Sequence, residues 1–293
     1  MKTSYSEIVS TKKQHDLLIA ANQEMLTPAH TDAHNTLLIL IDFQQDFMPN
    51  GALGVPGADQ DVMRVTKWIY DNIAKLTTIA VSIDTHNPFQ IFHPCWWENE
   101  KSENPPPFTA ISLADLDSGK WRPVILPNHS REYVEALSKS NKKVLVIWPY
   151  HCLQGTQGCA LDPQISNMVY FHSVARKSMA IRIVKGTDPG TEMYGIIKPE
   201  WDPKNFVNIQ FLNKLEQYQQ IVIAGEAKSH CVLESILQML EHYKQRPEIT
   251  KRVFILEDAM SIIPGFEGIT DAAFKDFKSK YQVNLTTTKD FAL

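Results

Sequence analysis

The sequence predicts an α/β fold, a three-layer α/β/α sandwich around a mostly parallel six-stranded sheet. Three observations lead there. Six short apolar runs recur along the chain without the polar alternation of a sheet that has one wet face, so each reads as a strand covered on both sides. Helical patterns separate most of them, which implies parallel pairing with helices on both faces of the sheet. Several of the runs end on a charged residue, and the carboxyl ends of strands are where open parallel sheets hold their ligands.

Taken in order, residues 1–36 carry weak periodicity and read as an N-terminal arm ahead of a single domain, 37–293. The first strand is Leu37 to Asp42, LLILID, followed by FQQDF, a loop rich in Gly and Pro, and an amphipathic segment from about Asp59 to Leu76. Thr78 to Asp84 is the second strand, Lys143 to Trp148 the third and Ala180 to Lys185 the fourth. Gln220 to Gly225 is the fifth and Arg252 to Asp258 the sixth, with helical patterns at Glu132 to Ser138, Phe206 to Tyr218 and Ala272 to Tyr281. Between the second and third strands lies an insertion, about 94–140, far longer than a βα connection needs. Its tryptophans, Trp96, Trp97 and Trp121, argue for an ordered covering or a subunit contact.

Composition narrows the function classes. A hydrophobic content of 43% and a charged content of 21% are those of a globular chain that can build a sizeable core. The net charge of -4, with no basic block, argues against nucleic acid or an anionic membrane as partner. No apolar run reaches the roughly 18 residues of a membrane span, and the N-terminus has no secretory h-region. Cys95, Cys152, Cys159 and Cys231 have no CxxC spacing, so the expectation is a cytoplasmic protein with reduced thiols.

The chemistry collects at strand ends. Cys231 lies where Gly225 breaks the fifth strand and helical spacing begins at Val232, a turn whose unpaired N–H groups and dipole favour a thiolate and a developing oxyanion. A small buried cysteine packed on the sheet is the plain alternative. Asp42 is a better placed base than His230, because neighbours at a turn point apart, and Lys185 is suited to keep that carboxylate charged. The bland reading makes Asp42 a turn cap and Lys185 a solvated residue. Asp84 and His86, one residue apart past a strand, together with His93 and His151, suit Zn, Mn or Fe at an open site, although D-x-H alone is a weak pattern.

IDFQQDF, SIDTH, WPYHCLQGTQG, IVKGTDP and GEAKSHCV stand in the order found in the isochorismatase-like cysteine hydrolase superfamily, and the combination resembles its nicotinamidase branch from about Leu37 to Ile262. The resemblance implies a catalytic set of Asp42, Lys185 and Cys231 and metal ligands at Asp84, His86 and His151, with His93 at or near a further ligand position used by some members. It also implies a cis peptide at Glu226–Ala227, an oxyanion hole from the N–H groups of Ala227 and Cys231, and pocket walls at Phe47, Leu53 and Trp148. A divalent cation, zinc first, would be the cofactor and a small-molecule amide the partner. The family also tends to oligomerise, and the tryptophan-rich insertion is a candidate contact. Glu226 departs from the family, where an apolar residue is common; its carboxylate is expected either to find donors in Lys228 or the insertion, or to select a polar or cationic substrate.

The expected function is hydrolysis of nicotinamide to nicotinate and ammonia in NAD salvage, through a thioester. Two other readings stand beside it. One is an amidase acting on another small amide or ureido compound, although N-carbamoyl amidases generally lack the metal ligands. The other is a catalytically silent binding member of the family, against which the joint presence of Lys185 and Cys231 weighs.

Overall fold

The computed structural model describes residues 1–140 and 143–293. Its centre is a six-stranded sheet: β1 Thr36–Ile41, β2 Thr78–Asp84, β3 Ile181–Lys185, β4 Gln220–Gly225, β5 Val253–Leu256 and β6 Asn284–Thr286. Every pairing is parallel and the spatial order is 3-2-1-4-5-6. The order reverses between β1 and β4, and a doubly wound sheet opens its ligand crevice at that point.

One of the six expected strands is corrected, and one sheet strand was not expected. Lys143 to Trp148 is not in the central sheet; only Leu145–Val146 is extended, paired antiparallel with Ala110–Ile111 in the insertion. Leu145 and Ile147 are buried whereas Val144 is 45% exposed, so one face of the run is wet. The sixth sheet member is instead Asn284–Thr286, three half-buried residues whose polar sequence carries no strand signal.

Alternation along the inner strands divides the core. Leu38, Leu40, Val81 and Val222 face a layer containing α1 Tyr5–Ser10, α2 Gln14–Asn22, α3 Ala58–Asn72 and α4 Pro163–Ala175. Leu37, Ile39, Ile41 and Ile223 face the opposite layer, with helix Ile209–Leu215, α5 Leu233–His242 and α6 Glu267–Tyr281. Local chemistry sets the helix ends. Asp162 accepts from Gln164 N and Ile165 N ahead of Pro163, and in α3 the acidic residues Asp59 and Asp61 occupy the positive first turn. The N-terminal residues lie on this layer: Asn167 of α4 donates to Ile8 O and Thr11 O. No helix among the described residues is long and apolar enough to cross a membrane.

The insertion builds a core of its own. Trp96, Trp97 and Trp121 are all buried, packed with Ile91, Ile111 and Tyr133, so their rings face inward instead of offering an external contact. Their indole N–H groups are used where the chain supplies acceptors: Trp96 donates to Ser130 Oγ at 2.9 Å and Trp97 to Ile91 O at 2.6 Å. Removing a fully buried indole leaves a cavity and takes a donor from Ser130 Oγ, which keeps its own bond to Leu126 O at 2.9 Å. Trp96→Ala is expected to lower the unfolding free energy by about 3–5 kcal/mol, measured by urea denaturation.

Candidate active site

Asp42, Asp84, Lys185 and Cys231 meet at the carboxyl edge of the sheet. Parallel register places Asp84 beside Lys185 across β2 and β3, and Ile41 beside Gly225 across β1 and β4, so the residues that follow converge on one crevice. Asp42 takes φ +49°, a left-handed conformation that Asp tolerates better than most residues. Ser82 anchors it: Ser82 Oγ lies 2.9 Å from the Asp42 amide and donates to Oδ1 at 2.5 Å. A side chain at Gly225 would collide with Ile41 O and Cβ at 2.5 and 2.6 Å, so the glycine that ends β4 also lets the two strand ends close up.

Lys185 is completely enclosed and serves two acids. Its ammonium lies 2.9 Å from Asp42 Oδ2 and 3.0 Å from Asp84 Oδ1, donates to Met193 O at 3.1 Å and approaches Cys231 Sγ at 3.8 Å. Burial alone would favour the neutral amine, but the two carboxylates reverse that and raise the Lys185 pKa well above its ordinary value. Burial raises the Asp42 carboxyl in spite of Lys185, and the Asp84 charge adds to the rise. On Asp84 burial pushes the same way, yet His86 and Lys185 outweigh it and hold the carboxyl below the usual range.

Cys231 sits within a π-turn, Lys228–Val232, that leads into α5. Burial raises the Cys231 thiol well above its ordinary pKa, with Asp42 and Asp84 adding to it against Lys185. The resting group is therefore a thiol within hydrogen-bonding range of Asp42. It needs a base, and Asp42 is in contact with it.

Beside these residues, the ligand atoms of Asp84, His86 and His151 lie within 4.8 Å of one another. The connection is local: His86 N donates to Cys152 O at 2.9 Å and Gln154 N to His86 O at 2.9 Å, which draws the 151–154 segment along the end of β2. Each imidazole directs Nδ1 at a carbonyl, His86 at Gly186 O (3.0 Å), His93 at Pro88 O (3.0 Å) and His151 at Pro149 O (2.8 Å). A carbonyl can only accept, so in His93 and His151 Nδ1 carries the proton and Nε2 keeps its lone pair, whereas His86 also sets Nε2 at 2.9 Å from Asp84 Oδ2 as a donor to that carboxylate. His93 Nε2 is buried without a partner, though His93 lies outside the three-residue cluster. Burial lowers His151 to about 3 and His93 to about 4, so both are neutral near pH 7. One carboxylate with two or three imidazoles is a donor set that fits a divalent transition metal. At Gly186, φ +73°, a Cβ would lie 2.4 Å from His86 Cε1 and 2.6 Å from Asp84 Oδ1.

The cleft above Cys231 holds about 520 Å³ of atom-free space, open solvent at its mouth included. Phe47, Leu53 and Trp148 line it as expected from the sequence, with Ala227, Cys231 and the metal-ligand candidates Asp84, His86 and His151. Sequence reasoning missed Glu192 and Tyr194, seven and nine residues past Lys185 in a loop without periodicity, and discounted His230. Glu192 is buried beneath three donors: Tyr194 OH at 2.7 Å, Tyr133 OH at 3.0 Å and Trp148 Nε1 at 3.1 Å. Gln44 and Asp46 of the FQQDF stretch act on backbone. Gln44 Oε1 accepts from Asp84 N at 2.7 Å while its Nε2 donates to Asp84 O at 2.8 Å, and Asp46 Oδ2 accepts from Cys152 N at 2.6 Å.

Glu226 is corrected on both counts. It is fully buried, lies outside the lining of the cavity and so does not address the substrate, and Lys228 pairs with Glu257 at 3.2 Å instead. The Glu226–Ala227 peptide is cis, and Ala227 lines the cavity.

No known protein-family profile matches the chain. A nicotinamidase of Acinetobacter baylyi is 28% identical over 145 residues, 48% of this chain and 49% of that enzyme, so the match spans about half the length of that relative. Among solved structures, an Acinetobacter baumannii nicotinamidase and pyrazinamidase superposes with a TM-score of 0.60 at 19% identity, covering 87% of this chain and 97% of that one. Yeast nicotinamidase bound to the inhibitor nicotinaldehyde gives 0.59 at 19% identity, with 86% and 99% covered. The pyrazinamidase of Pyrococcus horikoshii in complex with zinc gives 0.50 at 20% identity, with 86% and 98% covered.

The buried imidazoles set a pH dependence. The folded state holds His151 and His93 below their ordinary 6.5, so the unfolded chain binds more protons between that value and about 3–4. Stability of the metal-free protein is thus expected to fall as pH drops from roughly 6.5 towards 3, with proton uptake on unfolding measurable by denaturation across that window. Gly186→Ala should weaken zinc binding by about 10- to 100-fold in calorimetric titration, because it displaces His86 and Asp84 together. By its architecture, this chain has the fold of the nicotinamidases and pyrazinamidases.

Proposed function

We propose that this protein is a metal-assisted cysteine amidase that hydrolyses nicotinamide to nicotinate and ammonia, in the salvage of NAD. The observation that carries the reading is the buried contact set of Lys185, Asp42 and Cys231, placed against three metal-ligand candidates in one aromatic-walled cavity. A structural ion pair would need neither the thiol nor the ligands.

In the proposed reaction Asp42 takes the Cys231 proton as sulfur attacks the carboxamide carbon. The carbonyl π electrons move to oxygen, where the N–H groups of Ala227 and Cys231 receive the charge. Asp42 then protonates the departing nitrogen, the C–N bond breaks and ammonia leaves a thioester. Water adds to that thioester with its proton passing to Asp42. The tetrahedral adduct collapses to the acid, and sulfur recovers the proton. Throughout, Lys185 keeps its charge and fixes the Asp42 carboxylate, whose raised pKa suits a group that must both take and return a proton. Asp84, His86 and His151, with His93 beside them, would hold a divalent ion, zinc first, which supplies a Lewis acid for the pyridine nitrogen when bound. Phe47 and Trp148 offer flat apolar surface to the ring, and the cavity suits one small planar amide.

The test is release of ammonia and nicotinate from nicotinamide by purified protein, with zinc, with chelator and with the Cys231→Ala variant. Turnover lost in both controls is expected. Absence of turnover with zinc loaded would redirect the reading to another small amide or ureido substrate. Cys231→Ala and Asp42→Asn should each lower kcat by roughly 10³-fold or more, while circular dichroism shows an intact fold. Lys185→Met should remove activity and also cost about 3–5 kcal/mol in stability, because it strands two buried carboxylates.

A further inference from the structure

A second buried acid pair lies behind the cavity wall, and nothing in the proposed reaction uses it. Glu226, fully buried, comes from the end of β4, and Asp61, 1% exposed, from α3. Three donors aim at Asp61: Ser261 Oγ at 2.5 Å, Arg64 Nη1 at 3.0 Å and the Glu226 carboxyl. Glu226 Oε2 accepts from Ser261 N at 3.2 Å, whereas Oε1 meets no N–H or O–H donor. The Glu226 carboxyl lies within hydrogen-bonding range of Asp61. Two acids in contact in a dry site cannot both ionise, and the donors concentrate on Asp61, so Asp61 is the carboxylate and Glu226 the acid that donates to it. Burial and the Asp61 charge raise the Glu226 pKa well above the carboxylate range, in agreement with that assignment.

The backbone attached to this pair is the oxyanion peptide. Glu226 N donates to Ile41 O at 2.9 Å, next to Asp42, and the following N–H is that of Ala227. Ser261, held through both its amide and its hydroxyl, returns a carbonyl to Lys228 N at 2.8 Å. Ser229 Oγ accepts from Ile263 N at 3.2 Å, so the segment 259–263 runs alongside the turn that carries Cys231. Space here is tight: a Cβ at Gly57, just ahead of α3, would lie 2.8 Å from Ser261 Oγ.

We infer that Glu226, as a neutral acid donating to Asp61, and Ser261 form a clasp that positions the Ala227 N–H for the oxyanion. Glu226 is a positioning residue and touches no substrate. Its apolar counterpart in the resembled family would fill the same space without joining the turn to α3. The inference rests on the proposed amidase reading for the word oxyanion, but not for the mechanical claim.

Two readouts separate the two. Hydrogen–deuterium exchange over residues 224–232 reads the clasp without any substrate. Glu226→Leu is expected to speed exchange of that turn about tenfold, whereas Glu226→Gln, which keeps a donor for Asp61 and an acceptor for Ser261 N, stays near wild type. Ser261→Ala, on a partly exposed residue, should give an intermediate increase of about threefold and decides the matter if the leucine variant does not fold. Unchanged exchange in both Glu226→Leu and Ser261→Ala would overturn the inference. Steady-state kinetics on nicotinamide then reads the consequence: kcat down about tenfold in Glu226→Leu with KM within about twofold, and most of kcat recovered in Glu226→Gln. Equal kcat in all three proteins would also overturn it. Wild-type protein that turns over no nicotinamide while the exchange differences persist would sink the substrate reading and leave the clasp standing.

Discussion

Lys185 puts one ammonium between two carboxylates in a place that excludes water, and the rest of the site depends on that arrangement. Taking three charges out of water is costly, and the cost is recovered only if each finds its partner at contact distance. Parallel register supplies the contact, because Asp84 and Lys185 end adjacent strands at the same level while Asp42 ends the next strand over. Two negative charges share one positive one, so neither acid is fully compensated. His86 takes up the excess at Asp84, and Asp42 keeps a raised proton affinity beside a thiol. The same ion pair thus separates a ligand-type carboxylate from a base-type carboxylate a few ångströms away.

The insertion completes what the sheet edge begins. A bare strand-end crevice would leave these groups wet, and every interaction in it would weaken with the higher dielectric. Residues 94–140 fold onto their own buried tryptophans, and the chain leaving them delivers Trp148 to the cavity and His151 to the ligand cluster. Two ties bind this cover to the core layer. Trp148 donates to Glu192, and Lys143 bridges Glu200 and Glu234 at 2.6 Å each. The long connection is therefore structure that packs behind the segment bearing Trp148, which itself lines the cavity.

Five strands and the strand-end residues were legible because one physical rule governs both: a buried parallel strand must be apolar until it ends, and the first polar residue after it stands at the ligand edge. Asn284–Thr286 escaped because an edge strand needs no apolar run, and Lys143 to Trp148 misled because a run buried on one face imitates one buried on both. Glu192, Tyr194 and the partners of Glu226 lie in loops or come from distant elements, where spacing carries no signal.

Four of the buried carboxyls in and behind this cavity are satisfied in different ways. Asp84 is held by an ammonium and imidazoles, Glu192 by three neutral donors, and Glu226 by keeping its proton and giving it to Asp61. Asp42 has Ser82 and half of one ammonium, which is the least complete set. Hydrogen bonds alone do not sort these acids, because burial raises Glu192 above its ordinary pKa in spite of its three donors. What sets Asp42 apart is its neighbour: of the four it is the one in hydrogen-bonding range of the Cys231 thiol. In the proposed reaction it is that contact which selects Asp42 as the acid that exchanges a proton with sulfur.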